Sequence, residues 1–329
     1  MGSWMRAAAL VLSWIGLAFS IPPGFAQTPV PGFPSKPVRI VVPFAPGGTA
    51  DFLARLLGQK FSESWGQQVI VDNRPGAGTV IGTEFVARAP ADGHVMLLMA
   101  NSFAINPSVR SSLPYDAVKD FAPVVLLVGS PQVLVVHPSI QARTFGEFLA
   151  LARARPGQVS YATVGPGTTQ HIAGEMLWSA AKVQLVYAPF GGGAPAVNAL
   201  LGGHVNSVLA NYSEVAQQIE AGKIRALAVS SRERVEALKD VPTIAESGFK
   251  DFEATAWFGL VVPGATPKES VARVNAEALR ALRIPEVREK LIAQGLYPVG
   301  NAPEQFGAHI RSETAKYAKV VKEAGIKAD

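Results

Sequence analysis

The chain alternates short β-branched runs with glycine-rich turns and stretches in which apolar residues recur at helical spacing. Val38–Val42 is followed by the turn Pro43–Gly48, and a helical pattern begins at Thr49, which is predicted to be its N-cap. The same order recurs at Gln68–Asp72, with a helical pattern over Thr79–Ala89. Repeated strand, turn and helix predict parallel strands covered by helices on both faces.

The pattern returns in the middle of the chain. Val159–Val164 precedes a helical pattern that starts near Thr168, and Leu185–Ala188 precedes another over Ala194–Leu201. Each turn again contains glycine. Further strands are predicted at His94–Met99, Ser207–Ala210, Ala226–Ser230 and Thr255–Val262, and closing helices at Pro267–Leu282 and Glu304–Glu323.

Two strand-like runs, Val124–Val128 and Val133–Val136, lie between the two sets of units. They are placed to carry the chain from one sheet to the other, and Thr255–Val262 is placed to bring it back. We therefore predict an α/β fold of two doubly wound domains, residues 27–129 with 253–329 and residues 130–252, joined by two crossover strands around a cleft. A single continuous sheet is the alternative.

The amino terminus has the pattern of a secretory signal peptide. Arg6 precedes the apolar run Ala7–Ser20, and small residues end at Ala26. We predict cleavage after Ala26, so residues 1–26 are the signal peptide, with an uncleaved anchor as the alternative. A lipoprotein needs a cysteine near this point, and the chain has no cysteine. The expected location is the periplasm, without a lipid anchor.

The composition excludes several classes of protein and of functional site. The chain has 329 residues, of which 48% are hydrophobic and 17% charged, which excludes a disordered protein. The absence of cysteine excludes disulfides, thiolate nucleophiles and cysteine-ligated metals. The net charge of +5 is spread over interleaved acidic and basic residues, so no basic patch indicates nucleic-acid binding.

The glycine-rich turns are typical of sites for small anions. In open parallel sheets ligands bind beyond the carboxyl ends of the strands, where helix N-termini present unsatisfied amides. The hydroxyl groups of Thr49, Thr168 and Thr169 add neutral donors, and the loops Phe44–Thr49 and Gly165–Thr169 contain no lysine or arginine. This combination predicts coordination of a carboxylate by dipoles, although glycines after strands are also common as simple turn formers.

The sequence motifs of nucleotide-binding, metal-binding and hydrolase sites are absent or incomplete. No GxxxxGK[ST], HExxH or GxSxG motif is present, and Gly76–Gly82 is one residue away from a dinucleotide fingerprint that lacks its acidic partner. We therefore predict no cofactor and no metal. His171 either faces the cleft or bonds to a helix neighbour. Asp51 either orients its loop or faces a ligand amine or hydroxyl group.

Several motifs resemble, in order and spacing, those of the Bug receptors, the periplasmic substrate-binding proteins of tripartite tricarboxylate transporters. The resemblance covers the whole chain after the signal peptide. The motifs that carry it are Lys36–Asp51, Asn73–Gly78, Pro90–Gly93, Gly165–His171, Val186–Gly193, Gly222–Ala228, Asp240–Thr243 and Trp257–Leu260.

The resemblance implies a two-domain receptor that closes on its ligand. The loops Phe44–Asp51 and Gly165–His171 would hold a ligand carboxylate from opposite domains, with Phe44 and Phe190 lining the pocket. Family members often have aspartate where this chain has Asn211, which favours an unaminated or aromatic carboxylate here. The predicted ligand-binding residues are Phe44, Pro46, Gly47, Gly48, Thr49, Asp51, Gly76, Gly78, Ser102, Gly165, Gly167, Thr168, Thr169, His171, Phe190, Gly191, Gly192 and Asn211.

The predicted function is a non-enzymatic, exported receptor for a small organic carboxylate. Hinge closure would trap the ligand for delivery to the membrane components of a tripartite tricarboxylate transporter. A monomer is the default expectation. The alternatives are a secreted α/β enzyme that uses His171 or Asp51, and a ligand-dependent signalling adaptor on the same fold.

Overall fold

Alternating strands and helices run through residues 32–326, the part of the chain that the computed structural model describes. The predicted signal peptide lies outside it. The strands are β1 (Val38–Val42), β2 (Val69–Asn73), β3 (Val95–Ala100), β4 (Phe121–Val136), β5 (Ser160–Thr163), β6 (Val186–Pro189), β7 (Ser207–Asn211), β8 (Arg225–Val229), β9 (Thr255–Pro263) and β10 (Tyr297–Pro298). The helices are α1 (Thr49–Trp65), α2 (Val80–Ala87), α3 (Ser102–Val109), α4 (Phe145–Ala154), α5 (Thr169–Ala181), α6 (Gly193–Leu201), α7 (Tyr212–Glu220), α8 (Lys268–Arg283), α9 (Pro285–Ala293) and α10 (Pro303–Ala324).

The first half-sheet, as we call it, has the order β2-β1-β3-β9-β4 and uses the amino-terminal part of β4. β1 runs parallel to β2 and β3, whereas β9 is antiparallel to β3 and β4. Successive side chains of β1 enter opposite cores. Ile40 packs with Leu53 of α1 on one face, and Val41 packs with Phe306 of α10 on the other.

The second half-sheet consists of the carboxyl-terminal part of β4 with β8 and with β7, β5 and β6. β5 runs parallel to β6 and β7, and β4 is antiparallel to β7 and β8. Helices cover both faces here too. Phe148 of α4 and Leu177 of α5 belong to one core, and Leu200 of α6 and Val215 of α7 belong to the other. The doubly wound architecture predicted from the sequence is confirmed.

The sequence pattern was wrong in one respect, because it divided β4 into two runs. β4 is one strand of 16 residues that contains Pro123, Gly129 and Pro131. Its pairing with β9 shifts register directly after Pro123 and ends at Pro131, and from Gln132 onward it pairs with β7. Proline lacks an amide donor and is tolerated where pairing is irregular or changes partner. β4 therefore belongs to both half-sheets.

β9 begins opposite this change of partner, since Thr255 pairs with Pro131. Just before it, the amide of Ala254 donates to the Ser230 carbonyl, and the Ser230 amide donates to the Gln132 carbonyl. Both chain crossings therefore lie side by side. From Phe33 onward the chain forms one compact unit. The domain boundaries given above stay a prediction.

Helix starts and short helices account for the other differences. Gly48, and not Thr49, is the N-cap of α1. Four helices, α3, α4, α7 and α9, were not predicted. α3 follows β3 after only one residue and contains Pro107. The sequence therefore shows no clear helical pattern at this position. The other predicted strands and helices are confirmed, with small shifts at their ends.

Candidate functional site

A cavity lies where strands of both half-sheets end and helices begin. Its empty space is about 380 Å³ when the opening to solvent is counted, but the centre of a water molecule can occupy only about 20 Å³ of it. Its walls come from the starts of α1, α3, α5, α6 and α7 together with β9. The lining residues are Phe44, Gly48, Thr49, Ala50, Ala100, Ser102, Val164, Thr168, Thr169, Gln170, Gly193, Asn211, Glu214, Ala256 and Phe258.

Seven of the predicted ligand-binding residues line this cavity. They are Phe44, Gly48, Thr49, Ser102, Thr168, Thr169 and Asn211. The other eleven do not line it: Pro46, Gly47, Asp51, Gly76, Gly78, Gly165, Gly167, His171, Phe190, Gly191 and Gly192. Most of them make contacts within their own loop or with a neighbouring loop.

Asp51 organises its own loop. Its Oδ2 accepts hydrogen bonds from the Gly47 amide at 3.0 Å and from Arg55 Nε at 2.9 Å. Burial raises the pKa of the Asp51 carboxyl group, but the hydrogen bonds from Arg55 and Gly47 outweigh this effect and hold the pKa below its usual value. Of the two hypotheses for Asp51, the loop-orienting contact is observed. Pro46 and Gly47 are exposed.

The loop before α5 is held in a similar way. The Gly167 amide donates to His171 Nδ1 at 3.3 Å, and the His171 ring packs on Tyr187 with centroids 4.7 Å apart. Burial lowers the pKa of His171. Thr168 is the N-cap residue of α5, but its side chain makes no capping bond. Its hydroxyl group donates to the Gly165 carbonyl at 2.6 Å.

This geometry leaves the first amides of α5 without a side-chain cap. The first amides of any α-helix have no acceptor within the helix, and here they lie at the wall of the cavity with Thr169 and Gln170. Ser102, at the start of α3, accepts a hydrogen bond from the Thr79 hydroxyl group at 3.1 Å. The hydroxyl hydrogen of Ser102 is therefore available to an acceptor in the cavity.

The other predicted glycines let loops approach one another closely. The Ala45 amide donates to the Gly191 carbonyl at 2.9 Å, which joins the loop after β1 to the loop after β6. Gly78 has a φ of 59° and lies so close to the Pro166 carbonyl that a Cβ there would overlap it. These glycines bring the loops of the two half-sheets into contact and do not themselves line the cavity.

Glu214 is the main feature that the sequence prediction missed. Its Oε1 accepts hydrogen bonds from the Thr49 amide at 3.3 Å, the Thr49 hydroxyl group at 3.0 Å and Asn211 Nδ2 at 3.3 Å. Its Oε2 accepts from the Asn211 amide at 3.2 Å. The available signal was the spacing Asn211-x-x-Glu214 before an unpredicted helix, which resembles a capping box.

Burial raises the pKa of the Glu214 carboxyl group, and the hydrogen bonds from Thr49 and Asn211 only partly oppose this. Two further contacts join the half-sheets at this point. Thr49 Oγ1 lies 2.7 Å from Ser213 Oγ, and Asn211 Nδ2 donates to Thr49 Oγ1 at 3.1 Å. A Cβ on Gly193 would overlap the Glu214 carboxylate, which would have to move away from its present position.

The cavity has few charged side chains in its lining. Within residues 32–326, no lysine or arginine lines it, and Glu214 supplies its one carboxylate. In the same part of the chain, no cluster of three or more histidine and acidic side chains is arranged to hold a metal ion. None of the helices in that range has the length and apolar character to cross a membrane.

Curated relatives match along almost the full length. The protein of the tcbD-tcbE intergenic region in Pseudomonas sp. strain P51 is 40% identical over 97% of this chain and 95% of its own length. BugT of Bordetella pertussis is 36% identical over 98% of each chain.

Solved structures share the fold. The periplasmic binding protein BugD is 35% identical, with a TM-score of 0.87 over 90% of this chain and 99% of its own. Rpa4515 of R. palustris, solved with adipate, is 34% identical, with a TM-score of 0.87 over 90% and 99%. MatC of Rhodopseudomonas palustris, solved with bound malate, is 31% identical, with a TM-score of 0.84 over 88% and 100%.

The family model for the tripartite tricarboxylate transporter family receptor matches residues 53–326. That range contains α3, α5 and α7, whose starts line the cavity, and both crossing strands. The chain therefore belongs to the tripartite tricarboxylate transporter receptor family.

Proposed function

We propose that this protein is a periplasmic receptor that binds a small organic carboxylate in the cavity between the half-sheets. The observation that carries the proposal is the lining itself. Uncapped amides of α5 and the Ser102 hydroxyl group converge on a space that no described lysine or arginine lines. Helix dipoles and neutral donors suit a single carboxylate group. Relatives solved with adipate and malate support the ligand class.

The two chain crossings would allow the half-sheets to close around a ligand. Hydrogen bonds from Ala45 to Gly191 and from Asn211 to Thr49 join loops of opposite half-sheets, as expected for a closed receptor. Opening would separate these loops and bend the chain near Pro131 of β4 and Thr255 of β9. A ligand that contacts both sides favours the closed form by its additional contacts there.

The closed receptor would deliver its ligand to the membrane components of a tripartite tricarboxylate transporter, and it would act as a monomer. A receptor without catalytic activity also fits the chemistry of the cavity. His171, which the enzyme hypothesis would use, is bonded to Gly167 and does not line the cavity. Asp51 is likewise engaged with Gly47 and Arg55.

A thermal-shift screen over mono-, di- and aromatic carboxylates tests the proposal. A carboxylate that binds only the folded protein raises its midpoint of unfolding by mass action. Calorimetry on the best compound should then give one binding site and an unchanged compound after incubation. Conversion of the compound into a product would favour the enzyme, and no shift by any carboxylate would contradict the proposal.

A further inference from the structure

Three helix starts of the cavity meet around the protein's own carboxylate. Glu214 lies in the first turn of α7, accepts hydrogen bonds from Thr49 at the start of α1, and contacts Gly193 at the start of α6. Helix N-termini favour negative charge, so this corner of the cavity is an anion site that Glu214 already occupies.

The side chains of Glu214 and Asn211 leave unused acceptors at this corner, next to the uncapped first amides of α1 and α6. Oε1 accepts three hydrogen bonds, from two atoms of Thr49 and from Asn211 Nδ2. Oε2 accepts one, from the Asn211 amide, and so retains a free lone pair. Asn211 is buried, and its Oδ1 has no hydrogen-bond partner although the residue lines the cavity.

The rest of the polar lining has the opposite character. The α5 amides next to Thr169 and Gln170 and the Ser102 hydroxyl group are donors. A buried acceptor without a donor is unfavourable, and a buried carboxylate next to a second carboxylate is more so. The free side-chain acceptors of Glu214 and Asn211 therefore favour a hydrogen-bond donor on the ligand, whereas the α5 amides and Ser102 favour a carboxylate.

We propose that Glu214 determines specificity: the receptor takes a carboxylate whose other end carries a hydrogen-bond donor, a hydroxyl or an ammonium group, and rejects a second carboxylate there. The inference rests on the proposed function and deepens it. The ligand carboxylate binds the α5 amides and Ser102, and the donor at the other end binds Glu214 Oε2 and Asn211 Oδ1.

Ligands that share one carboxylate and differ only at the other end of the carbon chain separate the contributions of the two ends to binding. The probes are butyrate, 4-hydroxybutyrate, 4-aminobutyrate and succinate, with the corresponding three- and five-carbon sets to allow for length. Each is titrated by calorimetry into the wild-type protein, into Glu214→Gln, and into Glu220→Gln, which changes an exposed carboxylate of the same helix. Circular dichroism and the midpoint of thermal unfolding report whether each variant is folded.

The wild-type protein and Glu220→Gln should bind the hydroxy or amino acid at least tenfold more tightly than both the unsubstituted acid and the diacid. Glu214→Gln should lose most of this preference and bind the diacid at least tenfold more tightly than the wild-type protein does. The hydroxy and amino probes distinguish the two kinds of donor.

Two results overturn the inference while the proposed function stands. One is a wild-type preference for the diacid. The other is a Glu214→Gln variant that binds every acid, including the unsubstituted one, more tightly by the same factor. In that second case Glu214 would merely occupy the ligand's place in the empty receptor. If no carboxylate binds any of the three proteins, the proposed function fails and the inference fails with it.

Discussion

At the scale of single residues, the cavity depends on which polar groups are already bonded. Gly47 and Gly167 are among the predicted ligand-binding residues, and in the structure their amides donate to Asp51 and His171. Thr169 and Gln170 begin a helix whose cap residue bonds elsewhere, so their amides remain available. The presence of an amide donor in a loop therefore does not by itself indicate a ligand contact. The amide must also lack a hydrogen-bond partner within the protein.

The raised pKa of Glu214 predicts a pH effect on stability. The folded protein retains a proton that the unfolded chain releases above the usual pKa of 4.5, so this group lowers the free energy of unfolding as the pH rises from 4.5 to its raised pKa. Glu214→Gln removes the effect. Urea unfolding at a series of pH values should show the variant gaining stability relative to the wild-type protein across that window. A difference that stays constant with pH would contradict the assignment.

Gly193 predicts a steric effect on the same carboxylate. Gly193→Ala places a Cβ against the Glu214 carboxylate and should cost about 1–3 kcal/mol of unfolding free energy, as overpacking does. Gly146→Ala is the control, since a Cβ there has space. In the double variant with Glu214→Ala, the cost of Gly193→Ala should largely disappear when measured by urea unfolding. Additive effects would show that the two side chains do not meet.

At the scale of elements, one buried side chain joins three of them behind the cavity. Asn101 precedes α3, donates to the Thr255 carbonyl at 3.1 Å and to the Tyr317 hydroxyl group of α10 at 3.0 Å, and accepts from the Trp257 amide at 2.8 Å. This network fixes α3, and with it Ser102, relative to the start of β9.

Asn101→Ala should therefore lower the free energy of unfolding by about 1–3 kcal/mol, because it leaves the buried Trp257 amide without an acceptor. Tyr317→Phe removes only the hydroxyl group of the same network and should cost less. Urea unfolding of both variants measures the difference. An Asn101→Ala variant as stable as the wild-type protein would exclude the network as a determinant of the position of β9.

At the scale of the whole molecule, the alternation of strands and helices was sufficient to predict the fold class and the cleft. It failed at β4, because the prolines that interrupt the pattern lie where the strand shifts register or changes partner. It also failed at Glu214, since α7 was not predicted and no local pattern shows that its first turn meets the start of α1, 165 residues away. Long-range contacts of this kind are set by packing and not by spacing.

The most direct test of the account concerns the amides of α5. Thr169 is the first residue of that helix and follows extended backbone at Thr168, so Thr169→Pro keeps the helix while it deletes one amide donor. Thr169→Ala is the control, because it deletes the hydroxyl group and keeps the amide. The measurement is calorimetry with the carboxylate that gives the largest thermal shift. We predict that Thr169→Pro weakens binding at least tenfold relative to Thr169→Ala, while circular dichroism stays unchanged. Equal affinities in the two folded variants would contradict carboxylate binding by the start of α5.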